Sequence, residues 1–260
     1  MPEWGLFGAG LATFIARVFL FVAMLFAVFH GKSFKLWTRK SQHSSTTRKG
    51  CTHMARVGFP IAIQLCLESA SFNIAGMFMG WIGDIQLAAH QVMCSISTLI
   101  FMIQYGIGAA AAIRISQFRG RGEWSDVKRT VHSAWALAIL FAIVSVCAIA
   151  LFCQPITAIF TSDTRVQNMC FMLLPAFVLY QLGDCTQIIF SNSLRAIEAV
   201  GRMLLYAIIS YLVVSIPMSF LLGITLGYGA RGVWYGIPFG LTTAALLFIY
   251  EFKRKTKNLC

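Results

Sequence analysis

The chain has 260 residues, a formal net charge of +12, 58% hydrophobic and only 12% charged residues, with a mean hydropathy of +0.74. Soluble domains carry roughly 25% charged residues, so this composition excludes an ordinary globular enzyme and points to an all-α polytopic membrane protein. The charge suggests nucleic acid, but its distribution argues against such a partner. The Lys and Arg residues cluster in alternate connections and at the C-terminus. That is the asymmetry of a multi-pass membrane protein, placing the N-terminus outside and the C-terminus in the cytoplasm of a cell (inner or plasma) membrane.

Seven apolar runs are long enough to span a bilayer: roughly 5–29, 57–82, 86–113, 131–160, 166–194, 203–226 and 230–252. They are continuous rather than alternating, which predicts helices and not a barrel. The first run, within residues 1–30, starts only a few residues into a chain read as beginning outside, so further sequence is expected upstream. A polar, basic segment over 31–56 reads as a cytoplasmic inter-lobe linker. Residues 57–252 then form a six-helix unit with short turns, and 253–260 a basic cytoplasmic tail. A weak repeat supports this division: Gly5, Gly8 and Ala12 align with Gly229, Gly232 and Gly236. Small residues at these spacings let helices approach closely.

Pro60, Pro155, Pro175, Pro217 and Pro238 lie in the spans, as static kinks or as hinges. Trp81, Trp124 and Trp234 sit near span ends, where an interfacial belt is expected. The eight cysteines show no metal-binding spacing and read as small apolar residues.

Two acids stand apart. Glu68 and Asp184 lie deep inside apolar runs, whereas the other seven sit at or near span ends. A carboxylate at bilayer depth costs about 2.5–3.5 kcal/mol on insertion scales, so it faces a cavity or a partner. Gln64, Glu68 and Ser71 share one helical face of the second span, and Tyr180, Asp184, Gln187 and Ser191 share one of the fifth, with Arg195 continuing its line. The third span adds Gln91, Ser95 and Thr98. These stripes can converge on one cavity, making Gln64, Ser71, Gln91 and Gln187 candidates to line it. Two carboxylates and a phenol oxygen suit Na⁺ or exchangeable protons; two structural, hydrogen-bonded acids are the alternative. His90 and His132 read as proton relays or as packing residues. No Walker loop, HExxH or GxSxG motif occurs, so no enzyme site and no cofactor are expected.

Several segments carry a family resemblance: ARVGFPIAIQLCLE (Ala55 to Glu68), GWIGDIQLAAHQV (Gly80 to Val92), GIGAAAAIRISQFRGRG (Gly106 to Gly122), DCTQIIFSNSLRA (Asp184 to Ala196) and GARGVWYG (Gly229 to Gly236). In this order they resemble the C-terminal half of multidrug and toxic compound extrusion (MATE) transporters, over nearly the whole chain. The resemblance implies the last helix of an otherwise absent N-lobe plus a complete C-lobe of a two-lobe transporter. It implies export of cationic or amphipathic compounds in exchange for Na⁺ or H⁺ by alternating access, with the missing N-lobe required. It places the coupling-cation site, and the Na⁺ ligands if Na⁺ is used, on Glu68, Tyr180 and Asp184. The sequence departs from many relatives in lacking a proline near Gln104 and in having Ala196 after Arg195. Alternatives are a lipid-linked oligosaccharide flippase of the same superfamily, a seven-helix receptor and a fragment that does not transport.

Overall fold

A computed structural model describes residues 5–30 and 48–257. The expected linker lies outside the described residues as far as 47, and so do residues 1–4 and 258–260. The chain divides into two units between Met54 and Ala55. In the first, α1 (Gly5–His30) is predominantly apolar, with Arg17 its one Lys or Arg, as a membrane-spanning helix is.

The second unit, which begins within the helix Arg48–Ile82, is a helical bundle. In chain order come α2 (Arg48–Ile82), α3 (Asp84–Arg121), α4 (Trp124–Leu151), α5 (Cys153–Phe160), α6 (Thr164–Ala196), α7 (Val200–Ala207), a π-helical segment π1 (Ile208–Ser215), α8 (Ile216–Phe220), a second such segment π2 (Leu221–Thr225) and α9 (Gly229–Lys257). The elements from Val200 to Thr225 make one continuous crossing. Counted this way, seven helices are long and apolar enough to cross a membrane, and no strand occurs among the described residues. The chain is thus an all-α polytopic membrane protein.

The helix boundaries follow local chemistry. α2 starts at Arg48, inside the segment expected to be linker. Its first turns are polar, so hydropathy did not mark them. The run read as a single span over 131–160 is broken at Phe152. A proline ring clashes with the carbonyl four residues earlier, which for Pro155 is Leu151, the last residue of α4. Gly122 ends α3 in a left-handed conformation, its N–H returning to the Arg119 carbonyl. Asp163 caps α6 by accepting the Arg165 N–H at 2.9 Å. The side-chain and backbone hydrogen bonds from Arg165 hold the Asp163 carboxyl below its ordinary value.

Pro217 shapes the sixth crossing. It has no N–H to donate, and widened π turns flank the short α8 that holds it. At the end of π2 the Leu226 N–H reaches back five residues to the Leu221 carbonyl at 2.8 Å.

α6 is the centre of the bundle, packed against α3, α4, α5, α7 and α9. Large apolar side chains such as Leu99, Leu140, Phe171 and Leu246 point outward, as lipid-facing residues do. α9 lies against the sixth crossing along a stripe of glycines. A Cβ on Gly232 would overlap the Leu222 carbonyl, one on Gly236 the Ser219 backbone, and one on Gly240 the Ser215 side chain. The small residues singled out near the start of this span therefore bring two backbones into contact.

Overpacking such a seam costs about 1–3 kcal/mol. Gly236→Val is expected to lower the thermal midpoint of the detergent-solubilised chain by several degrees. Gly201→Ala, whose added carbon meets nothing within 4 Å, should leave the midpoint essentially unchanged.

Candidate functional site

α2 is joined to the bundle chiefly through side chains, and its contacts are polar at the depth of Glu68. Gln64 Nε2 donates to Glu68 Oε2 at 3.0 Å. From α6, Gln187 Nε2 donates to the same oxygen at 3.4 Å and to the Tyr211 hydroxyl at 2.9 Å. Arg195 donates to Gln64 Oε1, and the Ser71 hydroxyl donates to Ser215 at 3.1 Å. One network thus ties α2, α6 and π1 around the Glu68 carboxylate.

Asp184 sits three residues before Gln187 on the same face of α6 and is only 2% exposed. The Tyr180 hydroxyl donates to Asp184 Oδ2 at 3.4 Å. Tyr180 is held by an aromatic cluster, edge-on to Phe72 at 5.8 Å and to Trp234 at 6.2 Å, with Phe177 at 5.8 Å. A cavity of about 380 Å³ opens between α2, α3 and α6, with Glu68, Asn73, Ser97, Thr98, Phe101 and Tyr180 among its lining residues. Glu68 and Tyr180 face this space, and Asp184 lies behind the Tyr180 hydroxyl.

Most of the singled-out polar residues come together. Gln64, Glu68 and Gln187 share one hydrogen-bond network, Tyr180 and Asp184 form a pair, and Ser71 seals α2 to π1. Gln91 does not join them: it is exposed and lines no part of this cavity. The Ser95 and Thr98 hydroxyls return to their own helix backbone, and of the third-span stripe Thr98 alone reaches the cavity.

His90 packs in the core. It is 2% exposed, 3.5 Å from the Cys94 sulfur and edge-on to Trp234 at 5.7 Å. Trp234 departs from the expected interfacial belt. It is 1% exposed, because it begins the second turn of α9 on the side facing Tyr180, Phe177 and His90. Trp81, by contrast, is exposed.

One residue the sequence reading passed over belongs to the site. Tyr211 is fully enclosed, and its place beside Gln187 follows from the π turn, which no pattern of apolar spacing reveals. Gln104 and Gln181 are buried amides whose oxygen and nitrogen atoms make no hydrogen bond to the protein. Glu251 was grouped with the acids at span ends, yet its side chain is buried. It accepts from the Tyr206 hydroxyl at 3.2 Å and faces Arg254 at 3.7 Å and Arg202 at 3.9 Å. This cluster ties the basic end of α9 to α7. Among the described residues, no group of three or more His, Cys, Asp or Glu is placed to hold a metal ion.

Known proteins are similar to the chain in architecture and sequence. The MatE family model matches residues 60–221, more than half the chain. Multidrug resistance protein PmpM of Pseudomonas aeruginosa is 28% identical over 99% of this chain and 55% of its own length. Probable multidrug resistance protein NorM of Xylella fastidiosa is 30% identical over 96% of this chain and 54% of its own length. Among solved structures, the eukaryotic MATE transporter AtDTX14 superposes with a TM-score of 0.80 at 20% identity, over 92% of this chain and 55% of that one. An outward-facing multidrug resistance MATE family transporter gives 0.85 at 18% identity, over 99% and 57%. The chain therefore spans about half the length of the relatives it matches. The match across the bundle shows that this chain belongs to the MatE family, whose members are membrane transporters and not enzymes.

Proposed function

We propose that the chain is the C-terminal part of a cation-coupled exporter of drugs or other cationic and amphipathic compounds. In this reading α1 is the last helix of an N-lobe, the stretch after it is the inter-lobe linker, and the bundle from α2 to α9 is the C-lobe. The N-lobe supplies the other wall of the cleft. The basic ends face the cytoplasm, in keeping with the positive-inside distribution. The observation that carries the proposal is the pair of intramembrane carboxylates: Glu68 of α2 lines the cavity, and Asp184 of α6 pairs with the Tyr180 hydroxyl that lines it. Membership in a transporter family and the multidrug names of the relatives support it.

Each side chain then has a task. Glu68, Tyr180 and Asp184 offer hard oxygen donors, which suit a Na⁺ or a proton carried as cargo. Gln64 and Gln187 hold Glu68 through their amide N–H groups, and Gln187 Oε1 makes no hydrogen bond to the protein. Phe72, Phe101 and Tyr180 give the cavity aromatic faces, which attract lipophilic cations. A cationic substrate and the coupling ion compete for the same negative charge, and that competition produces exchange. Rocking of the lobes around the site gives alternating access. Moving one net charge down the membrane potential supplies about 2.3 kcal/mol per 100 mV, enough for more than tenfold accumulation. The acidic cavity opposes a pyrophosphate-bearing cargo, so the flippase reading gains no support.

The test is ethidium efflux from pump-deficient bacteria that express the chain together with the N-terminal half of one of its relatives, with insertion checked. Asp184→Asn is expected to reduce gradient-driven efflux to background, and unchanged efflux would contradict the coupling role. Gln187→Leu removes a hydrogen bond to a charged group, an interaction in the range of about 1.5–3 kcal/mol. It is expected to slow initial efflux by roughly tenfold without abolishing it.

A further inference from the structure

On another face of α6, about 100° around the helix from the Glu68 cavity, two hollows lie next to each other. The first, of about 470 Å³, is lined almost wholly by apolar groups, among them Trp135, Leu179, Leu182, Phe239 and Leu246. The second, of about 260 Å³, is lined by Lys128 and His132 of α4, Phe190 of α6, and Phe252, Lys253 and Lys257 of α9, among others. Rings from their two linings touch. Trp135 meets Phe190 at 6.2 Å, and Phe190 meets Phe252 at 5.9 Å. The recess exists because α4 and α9 each pack closely on α6 and hardly on each other.

We propose that this recess binds one anionic phospholipid, with an acyl chain along the apolar hollow and the phosphate in the basic one. The charge pattern fits no neutral lipid. Among the described residues, three lysines line the basic hollow and no carboxylate does. The neighbouring Glu251 is turned toward Arg202, Arg254 and Tyr206. A volume of 260 Å³ is several times the roughly 30 Å³ of a water molecule, which is room for a phosphodiester headgroup. The dimensions fit a lipid lying along the helices. From Phe239 to Lys253 α9 rises about 21 Å, more than the roughly 15 Å depth of one leaflet's hydrocarbon. Basic pockets between membrane helices are known headgroup sites on physical grounds, since each Lys near the surface adds attraction for anionic lipid. A soluble anion would use the lysines and leave the trough unused. The bound lipid bridges the basic ends of α4 and α9, away from the transport cavity, so it acts as a structural or regulatory ligand and not as cargo.

The test titrates the chain in detergent with dioleoylphosphatidylglycerol, dioleoylphosphatidylcholine or the soluble headgroup glycerophosphoglycerol, and counts bound lipid by native mass spectrometry. One phosphatidylglycerol is expected to be retained about tenfold more tightly than phosphatidylcholine, with no displacement by the free headgroup. Lys253→Gln with Lys257→Gln should weaken it about tenfold, and Lys128→Gln, from the other helix, should weaken it severalfold. Arg129→Gln removes the same charge on a different face of α4 and should leave it unchanged. Equal retention of phosphatidylcholine would overturn the proposal. So would displacement by the free headgroup, which would mark a soluble-anion pocket, indifference to all three lysine changes, or equal weakening by Arg129→Gln.

Discussion

A charged side chain at bilayer depth must be enclosed or partnered, because hydrocarbon offers it nothing. This constraint organises the bundle around α6. Asp184, Gln187 and Ser191 run down one of its faces, and each is nearly inaccessible. To cover that stripe, α3 and α9 pack closely on α6 while α2 closes it through polar side chains. The carboxylate that α2 contributes, Glu68, accepts at one oxygen from Gln64 of its own helix and from Gln187 of α6. The space left where α2 stands off is the cavity beside Tyr180.

The second requirement is close backbone approach. The glycines of α9 bring it against the sixth crossing, and the π turns around Pro217 set where Ser215 and Tyr211 point. Ser215 then meets Ser71, and Tyr211 meets Gln187. A helix with ordinary turns would rotate each residue about 100° from its neighbour. The wider turn of π1 alters that phase within the crossing, so the polar network depends on the irregular backbone.

The sequence made the principal features of the bundle legible. Continuous apolar runs gave the number of crossings, and the periodicity of 3.6 placed Gln64 with Glu68 and Tyr180 with Asp184. Those inferences are local, resting on residues one turn apart. What stayed hidden depends on distance or on backbone irregularity. The break at Phe152 lies within an unbroken apolar run, and only the steric demand of Pro155 on Leu151 explains it. Trp234 looked interfacial by position but is turned inward by its phase on α9. Gln91 shares the polarity of the third span, yet the side of α3 it occupies was not readable without the packing of α2. Glu251 was placed at a span end by position, and Tyr206, 45 positions away, helps to enclose it.

The central claim is that substrate and cation compete for Glu68 and Asp184. The most direct measurement is cation release from purified protein, with the N-terminal half supplied, when a lipophilic cation such as tetraphenylphosphonium is added. Proton release is followed in weak buffer and ²²Na⁺ displacement by filtration, with Glu68→Gln and Asp184→Asn combined in a parallel sample. The account predicts release of one of the two ions by the unmodified protein and none by the double variant. Substrate binding with no release of either ion, or equal release from the double variant, would contradict it.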